Sequence, residues 1–333
     1  MKKGLKIFIA VLLAVFFIFV LVARLDFSYG SEPIWGVTFS QFYAVEELGL
    51  VWQEVYKEIL DDLDPKTLRL IAYWQYLEKE RGKYNFHDLD WQVKEAQKRG
   101  KEIILVLGYR VPRWPECYAP VWANNLDKED FRRELKNYIS AVIGHYKQYP
   151  AIKIWQVENE PLADFFGDCP KSNKEFLKEE IVLVKSLDNE RRIMVTDSGE
   201  LSFWLGSAGL SDVFGTTLYR IVWNKYIGWF KHWYPPAFYA ARAVLLKNFF
   251  QTKTVVISEL QAEPWTADRK PLRDVTFKEQ TERFGLDELK DNLEFAKKTG
   301  ISEIYLWGVE WWYYRKIGGD DSYWQFGKET IKK

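Results

Sequence analysis

The sequence predicts a single (β/α)8 barrel preceded by an N-terminal hydrophobic helix, and three observations lead there. Beyond residue 30, short β-branched or apolar runs alternate with longer amphipathic stretches, the pattern of strand–helix repeats. Eight such runs occur, the number that closes a barrel. No Gly/Ser linker, low-complexity tract or repeat interrupts residues 31–333, so they are expected to form one domain. The structural rival is a doubly wound open sheet. It would carry a Gly-rich first turn, which this chain lacks.

The strands are expected at Ile34–Ser40, Thr67–Tyr73, Glu102–Leu107, Ile152–Val157, Arg192–Thr196, Val213–Thr217, Thr254–Ser258 and Glu303–Trp307. Helical patterns fill the gaps. Phe131, Leu135, Tyr138, Val142 and Tyr146 recur at helical spacing before Tyr149-Pro150 ends the segment. Ser172 with Glu175, and Thr276 with Glu279, have the spacing of capping boxes. Gly100 and Gly300 stand where helices should end, each just before a strand.

At the N-terminus, Lys2, Lys3 and Lys6 precede an unbroken apolar run from Ile7 to Ala23, closed by Arg24. Residues 1–30 therefore read as a signal-anchor or a signal peptide. The run is at the short end for a spanning helix, and Ser28-Tyr29-Gly30 offers small residues for cleavage. Either way the lysines stay inside and the domain is exported, membrane-anchored if the helix is uncleaved and secreted otherwise. Lys plus Arg and Asp plus Glu are balanced at 47 each, which gives no reason to expect a nucleic-acid partner. Aromatic residues make up 17% of the chain, read either as a large core or as surfaces that stack on flat ligands such as sugars.

A barrel places its chemistry at the C-terminal ends of its strands. Strand four ends in Glu158-Asn159-Glu160-Pro161, and strand seven in Ser258-Glu259-Leu260-Gln261. By strand alternation Val255, Ile257 and Glu259 should share one face. Two carboxyl groups across a mouth are what glycosidic cleavage needs: one protonates the leaving oxygen, and the other attacks the anomeric carbon or activates a water. A separation of about 5 Å gives retention. Glu263 is the rival to Glu259 if strand seven runs longer. Glu158 is the rival on strand four, with a structural pairing to Arg69 or a lysine as its expected role.

Asn-Glu-Pro ending strand four, with a second Glu ending strand seven, resembles the clan-A retaining glycoside hydrolases, which include cellulases, endo-mannanases, xylanases and β-galactosidases. The resemblance runs through essentially the whole exported domain. It implies Glu160 as general acid/base, Glu259 as nucleophile, and Asn159 as a contact to the sugar's 2-hydroxyl. Arg69, in TLRLIAYW, resembles the clan's strand-two arginine beside the nucleophile. Tyr219, in DVFGTTLYR, resembles an aromatic hydroxyl that bonds the nucleophile. Trp307, in IYLWGVEWW, resembles the strand-eight tryptophan flooring the first sugar subsite. The stretch YWQYLEKERGKYNFHDLDWQV, from Tyr73 to Val93, also resembles a segment common in these enzymes. The histidine often found after strand three has no counterpart, since His87, His145 and His232 lie elsewhere. GYRVPRWPECY stands there instead, with Arg110 and Trp114 conspicuous. Trp265, beside Glu263, is a further substrate-binding or supporting candidate.

The expected activity is retaining hydrolysis of a β-linked oligo- or polysaccharide, with a carbohydrate as partner and no cofactor. The alternatives are a transglycosylase on the same residues and a non-catalytic carbohydrate-binding protein on a degenerate barrel. The chain is expected to be a monomer. The aromatic run from Tyr219 to Pro236 reads as sugar-stacking subsites, as core packing over the rim, or as a membrane contact. Cys117 and Cys169 follow neighbouring strands at one rim, so a disulfide between them is expected in an oxidising compartment. Two cysteines and scattered histidines are too few for a metal site.

Overall fold

A computed structural model describes residues 2–23, 25–267 and 270–332. The strands are β1 (Ile34–Thr38), β2 (Thr67–Ile71), β3 (Glu102–Leu107), β4 (Ile152–Val157), β5 (Arg192–Asp197) and β6 (Val213–Leu218). After a separate antiparallel hairpin, β7 (Ile221–Asn224) and β8 (Gly228–Lys231), come β9 (Thr254–Gln261) and β10 (Glu303–Trp307). Apart from the hairpin, the eight strands pair in parallel and close as β1-β2-β3-β4-β5-β6-β9-β10. The expected barrel is therefore present. β3, β4 and β10 have the expected bounds, and the other strands differ at their ends.

The side-chain period explains the layering. Leu68 and Leu70, Leu105 and Leu107, and Trp155 and Val157 lie in the shell against the helices. Ile104, Ile154, Met194, Val213, Val256 and Tyr305 form a separate cluster inside the barrel. The covering helices are α2 (Trp52–Glu58), α3 (Trp74–Leu77), α4 (His87–Lys98), α5 (Lys128–Tyr146) and α6 (Lys174–Leu187). They continue with α7 (Pro236–Phe249), α8 (Phe277–Arg283), α9 (Leu286–Lys298), α10 (Val309–Ile317) and α11 (Ser322–Ile331), while α1 (Lys2–Ala23) precedes the barrel.

Helix ends follow local chemistry. Thr276 accepts from the Glu279 N–H at 3.3 Å and starts α8. α6 starts one residue later than Ser172 implied: the capping side chain is Asn173, which accepts from the Phe176 N–H at 2.9 Å. An asparagine serves because its side-chain oxygen reaches the same unpaired donor. Gly100 and Gly300 follow α4 and α9 at φ +68° and +69°, a left-handed geometry that costs glycine little.

One crossing between barrel strands lacks its helix. Among the described residues no helix joins β5 to β6, and residues 198–212 cross in turns. That crossing is fastened by Arg242 of α7. Its guanidinium donates to the carbonyls of Gly199 and Ser202 at 2.7 Å each and lies 3.8 Å over the Trp204 ring.

The chain enters from below. The Phe27 N–H donates to Lys298 O and the Ile34 N–H to Ser302 O, both at the N-terminal end of β10, opposite the mouth. Several side chains of α1, including those of residues 14–16 and 18–20, lie outside the described set. Among the described residues no helix is long and apolar enough to cross a membrane. The spanning role expected of residues 7–23 falls partly on that undescribed set.

Candidate active site

Glu259 faces the mouth for a reason that strand alternation alone does not supply. Val255 and Ile257 belong to the outer shell against the helices, so strict alternation would send Glu259 outward with them. The ladder slips here. Thr216 of β6 pairs with Ile257 and Thr217 with Glu259, so Ser258 is an extra residue on β9. The register with β10 breaks over the same stretch. This β-bulge turns Glu259 to the opposite face from Val255 and Ile257, which corrects the expected face-sharing.

There Glu259 is held at both oxygens. Arg69 Nη1 donates to Oε1 at 2.9 Å, and the Tyr219 hydroxyl donates to Oε2 at 2.9 Å. Arg69 is fully buried in the middle of β2 and spends its other donors on Gln156 Oε1 and Asn159 Oδ1, each at 2.7 Å. It thus joins β2 to the ends of β4 and β9. Burial and the neighbouring Glu259 push the Tyr219 hydroxyl well above the usual range, so it stays a donor. Its backbone N–H is fixed by Glu200, whose other oxygen accepts from Thr217.

Glu160 has the opposite environment. Glu158 and Glu160 have φ of +59° and +44°, so the chain leaves strand geometry at once and alternation stops applying. The Glu160 N–H donates to Thr196 Oγ1 at 2.8 Å, while among the described residues no donor reaches its carboxyl oxygens. Burial, then the charges of Glu116 and Glu259, push this carboxyl well above the usual carboxylate range. Asn159, between them in sequence, has its oxygen fully used, by Arg69, Gln156 and Thr196. Its buried Nδ2 has no partner among the described residues.

The rivals have other attachments. β9 does run longer than expected, to Gln261, which was the condition favouring Glu263. Yet Glu263 pairs with Arg113, whose guanidinium lies between the rings of Tyr43, at 3.5 Å, and Trp307, at 4.1 Å. Glu158 meets neither Arg69 nor a lysine. It accepts from the N–H groups of Tyr109 (2.7 Å) and Arg110 (2.5 Å) and neighbours the buried Glu180 of α6. The correction has a simple cause: Asn159, not Glu158, continues the inward face from Gln156.

The aromatic candidates form a rim. Trp114 meets Phe166 at 5.7 Å, Phe166 meets Trp265 at 6.1 Å, Trp265 meets Tyr219 at 5.4 Å, and Tyr219 meets Trp307 at 6.3 Å. Sequence reasoning missed Phe166, the link in this series, together with Gln156, Thr196, Arg113 and Glu116. No motif marks them, because each acquires its neighbours only when separate strands and loops meet. The 219–236 run divides in two. Tyr234 stacks on Phe238 of α7 at 4.5 Å, whereas Tyr226 at the hairpin tip is exposed, as is Trp233 after β8.

Cys117 and Cys169 are disulfide-bonded, joining the loops after β3 and β4. Replacing both with serine is expected to lower the unfolding free energy by about 2–4 kcal/mol, because it frees a long closed loop in the unfolded chain. Denaturant melts of the two proteins check this.

A closed parallel barrel with two carboxyl groups at its mouth, one held by Arg and Tyr and one without donors, has the architecture of a glycoside hydrolase. The family model for Glycosyl hydrolase family 10 matches residues 51–177, which include Glu160 but stop short of Glu259. The chain is 33% identical to endo-1,4-beta-xylanase 3 of Hypocrea jecorina over 121 residues, 36% of this chain and 33% of that enzyme. It is 27% identical to a probable mannan endo-1,4-beta-mannosidase A-1 of Aspergillus terreus, over 33% of this chain and 30% of that protein. The matches thus span about a third of these relatives. Among solved structures, GH5_18 from Bifidobacterium longum subsp. longum superposes with a TM-score of 0.60 at 14% identity, covering 83% of this chain and 70% of that one, a likeness of fold. By these matches the chain is similar to glycoside hydrolases of more than one family.

Proposed function

We propose that the protein is a retaining endo-β-glycosidase acting on a β-1,4-linked polysaccharide by double displacement, with Glu259 as nucleophile and Glu160 as general acid/base. The observation that carries this is the opposite treatment of the two carboxyl groups. Glu259 receives donors at both oxygens, whereas burial and neighbouring negative charge push the Glu160 carboxyl well above the usual range. Glu160 protonates the glycosidic oxygen as Glu259 attacks the anomeric carbon. Water, deprotonated by Glu160, then releases the sugar from Glu259. The unpartnered Asn159 Nδ2 supplies a donor for a sugar hydroxyl beside Glu259. The rim from Trp114 to Trp307 supplies stacking surface.

The linkage and the internal mode of cleavage rest on what the xylanase and mannosidase relatives are named for. Residues 31–333 are the catalytic domain in this reading, and residues 1–30 export it and tether it to the membrane. Attachment of Phe27 opposite the mouth would leave the mouth turned away from such a tether. The deciding experiment measures reducing ends released from xylan, mannan and β-glucan, with Glu259→Ala alongside. Release from none of them, by protein with a normal melt, would sink the reading in favour of carbohydrate binding alone.

A smaller change tests the support of the nucleophile. Tyr219→Phe removes one donor from Glu259 without altering ring packing. It is expected to lower kcat about 10²-fold with little change in thermal stability. Steady-state kinetics and a melt check both halves.

A further inference from the structure

A second ion pair stands at the mouth, formed by the loop after β3, and the reaction above gives it no part. Arg110 Nε donates to Glu116 Oε2 at 2.7 Å. Arg110 Nη1 and Nη2 donate to the carbonyls of Ala163 (2.9 Å) and Phe166 (2.7 Å), both in the loop that carries Glu160. The Arg110 carbonyl accepts from the Asn159 N–H at 2.7 Å. Arg110 therefore grips the 159–166 segment at both ends. Glu116 is the carboxylate that pairs with it in the interior, and both residues are buried. Glu116 is itself fixed by its backbone, which donates to Arg113 O and accepts from Val111 N, and by the adjacent Cys117–Cys169 bond.

We propose that Glu116 is a positioning residue for the general acid: it locks Arg110 onto the Glu160 loop and presents a third carboxyl group to Glu160. This rests on the reading of Glu160 as acid/base. The charged groups that act on Glu160 are Glu116, Glu259 and Asp197, which disfavour its ionisation, and Arg110, which favours it. Of the charges, that of Glu116 acts most strongly, ahead of that of Glu259. Glu116 in turn answers to Arg110, Glu259 and Arg69, and burial pushes it up to about 7. Whichever carboxyl group ionises first makes ionisation of the other harder. A glycosidase acid must keep its proton after substrate binds, and it must take one back in the second step. A fixed neighbouring carboxyl group serves that cycle.

The test uses the full-length protein and Glu116→Gln, which keeps an oxygen acceptor for Arg110 but deletes the charge. The primary readout needs no substrate. The Glu160 carboxyl is followed by carbon-13 NMR in glutamate-labelled protein and assigned by its loss in Glu160→Gln. Its midpoint is expected to fall by about half a pH unit or more in Glu116→Gln. The alkaline limb of kcat/KM is expected to move the same way, a shift that a merely structural role would not produce. Glu116→Asp, which keeps the charge but withdraws it by one methylene, is the second variant should glutamine fail to fold. It is expected to shift the midpoint part of the way. Superimposable Glu160 titrations in the variant and the parent overturn the proposal. A shifted titration together with full activity in Glu160→Ala would keep the coupling of Glu116 to Glu160 but overturn the role of Glu116 in catalysis, because Glu160 would then not be the acid.

Discussion

Glu259→Ala is expected to reduce polysaccharide hydrolysis by at least about 10⁴-fold, because among the described residues Glu259 is the carboxylate held by both Arg69 and Tyr219. The control is Glu259→Gln, whose one amide oxygen can still accept from Arg69 while its amide nitrogen faces the Tyr219 hydroxyl. Arg69 is fully buried, so the alanine variant also leaves a charge short of its partner, at a cost of about 3 kcal/mol in unfolding free energy. The glutamine variant should melt closer to the parent and be as inactive, which separates catalysis from folding. Product stereochemistry adds an independent check: proton NMR of early product should show the β-anomer before mutarotation. Glu263→Ala gives the contrasting result. It breaks the pair with Arg113, so stability should fall while turnover persists. Loss of turnover in Glu263→Ala, with retention in Glu259→Ala, would reverse the assignment.

Glu160→Ala should show a selective loss. Polysaccharide cleavage needs a protonated leaving oxygen, so hydrolysis is expected to fall at least about 10³-fold. An aryl glycoside with a strongly acidic phenol leaves without that proton, so the glycosyl-enzyme still forms and now accumulates. Azide, a nucleophile that needs no base, should then restore turnover and give a β-glycosyl azide. Uniform loss on both substrates, without rescue, would count against the acid/base role. The pH dependence has a definite sign. The carboxyl of Glu160 is raised, so its acid form persists above the usual carboxylate range. Cleavage in the parent should hold into that range and decline as pH rises through the raised value. In Glu160→Ala the alkaline decline on the aryl substrate should disappear.

The two carboxylates differ in how far the sequence revealed them. Glu160 was legible because Asn-Glu-Pro directly follows a buried apolar run that forms β4 with the expected bounds. Glu259 was legible as a residue but not as a geometry. The alternation that placed it with Val255 and Ile257 points it to the wrong side, and only the bulge at Ser258 turns it inward. A bulge is set by the pairing of β9 with two neighbours far away in sequence, so no local pattern announces it. The pairing expected of Glu158 failed for a related reason. Left-handed backbone at Glu158 and Glu160 breaks the two-residue period where the strand ends.

Hydrophobic period and helix-end chemistry act over a few residues, and so the sequence alone determined the eight barrel strands, where each of them begins and the helix ends at Gly100 and Gly300, but not the β7–β8 hairpin. The carboxyl-bearing strand ends were equally readable, because in a closed parallel barrel all of them meet at one mouth. The tertiary structure decided what surrounds each carboxyl group. Arg69 reaches Glu259 across the barrel, Arg113 takes Glu263, and Arg110 with Glu116 sits against Glu160. These contacts bring together strands and loops that are distant in sequence. The energy of a buried charge depends on every group packed around it, and that surrounding exists only once the barrel has closed.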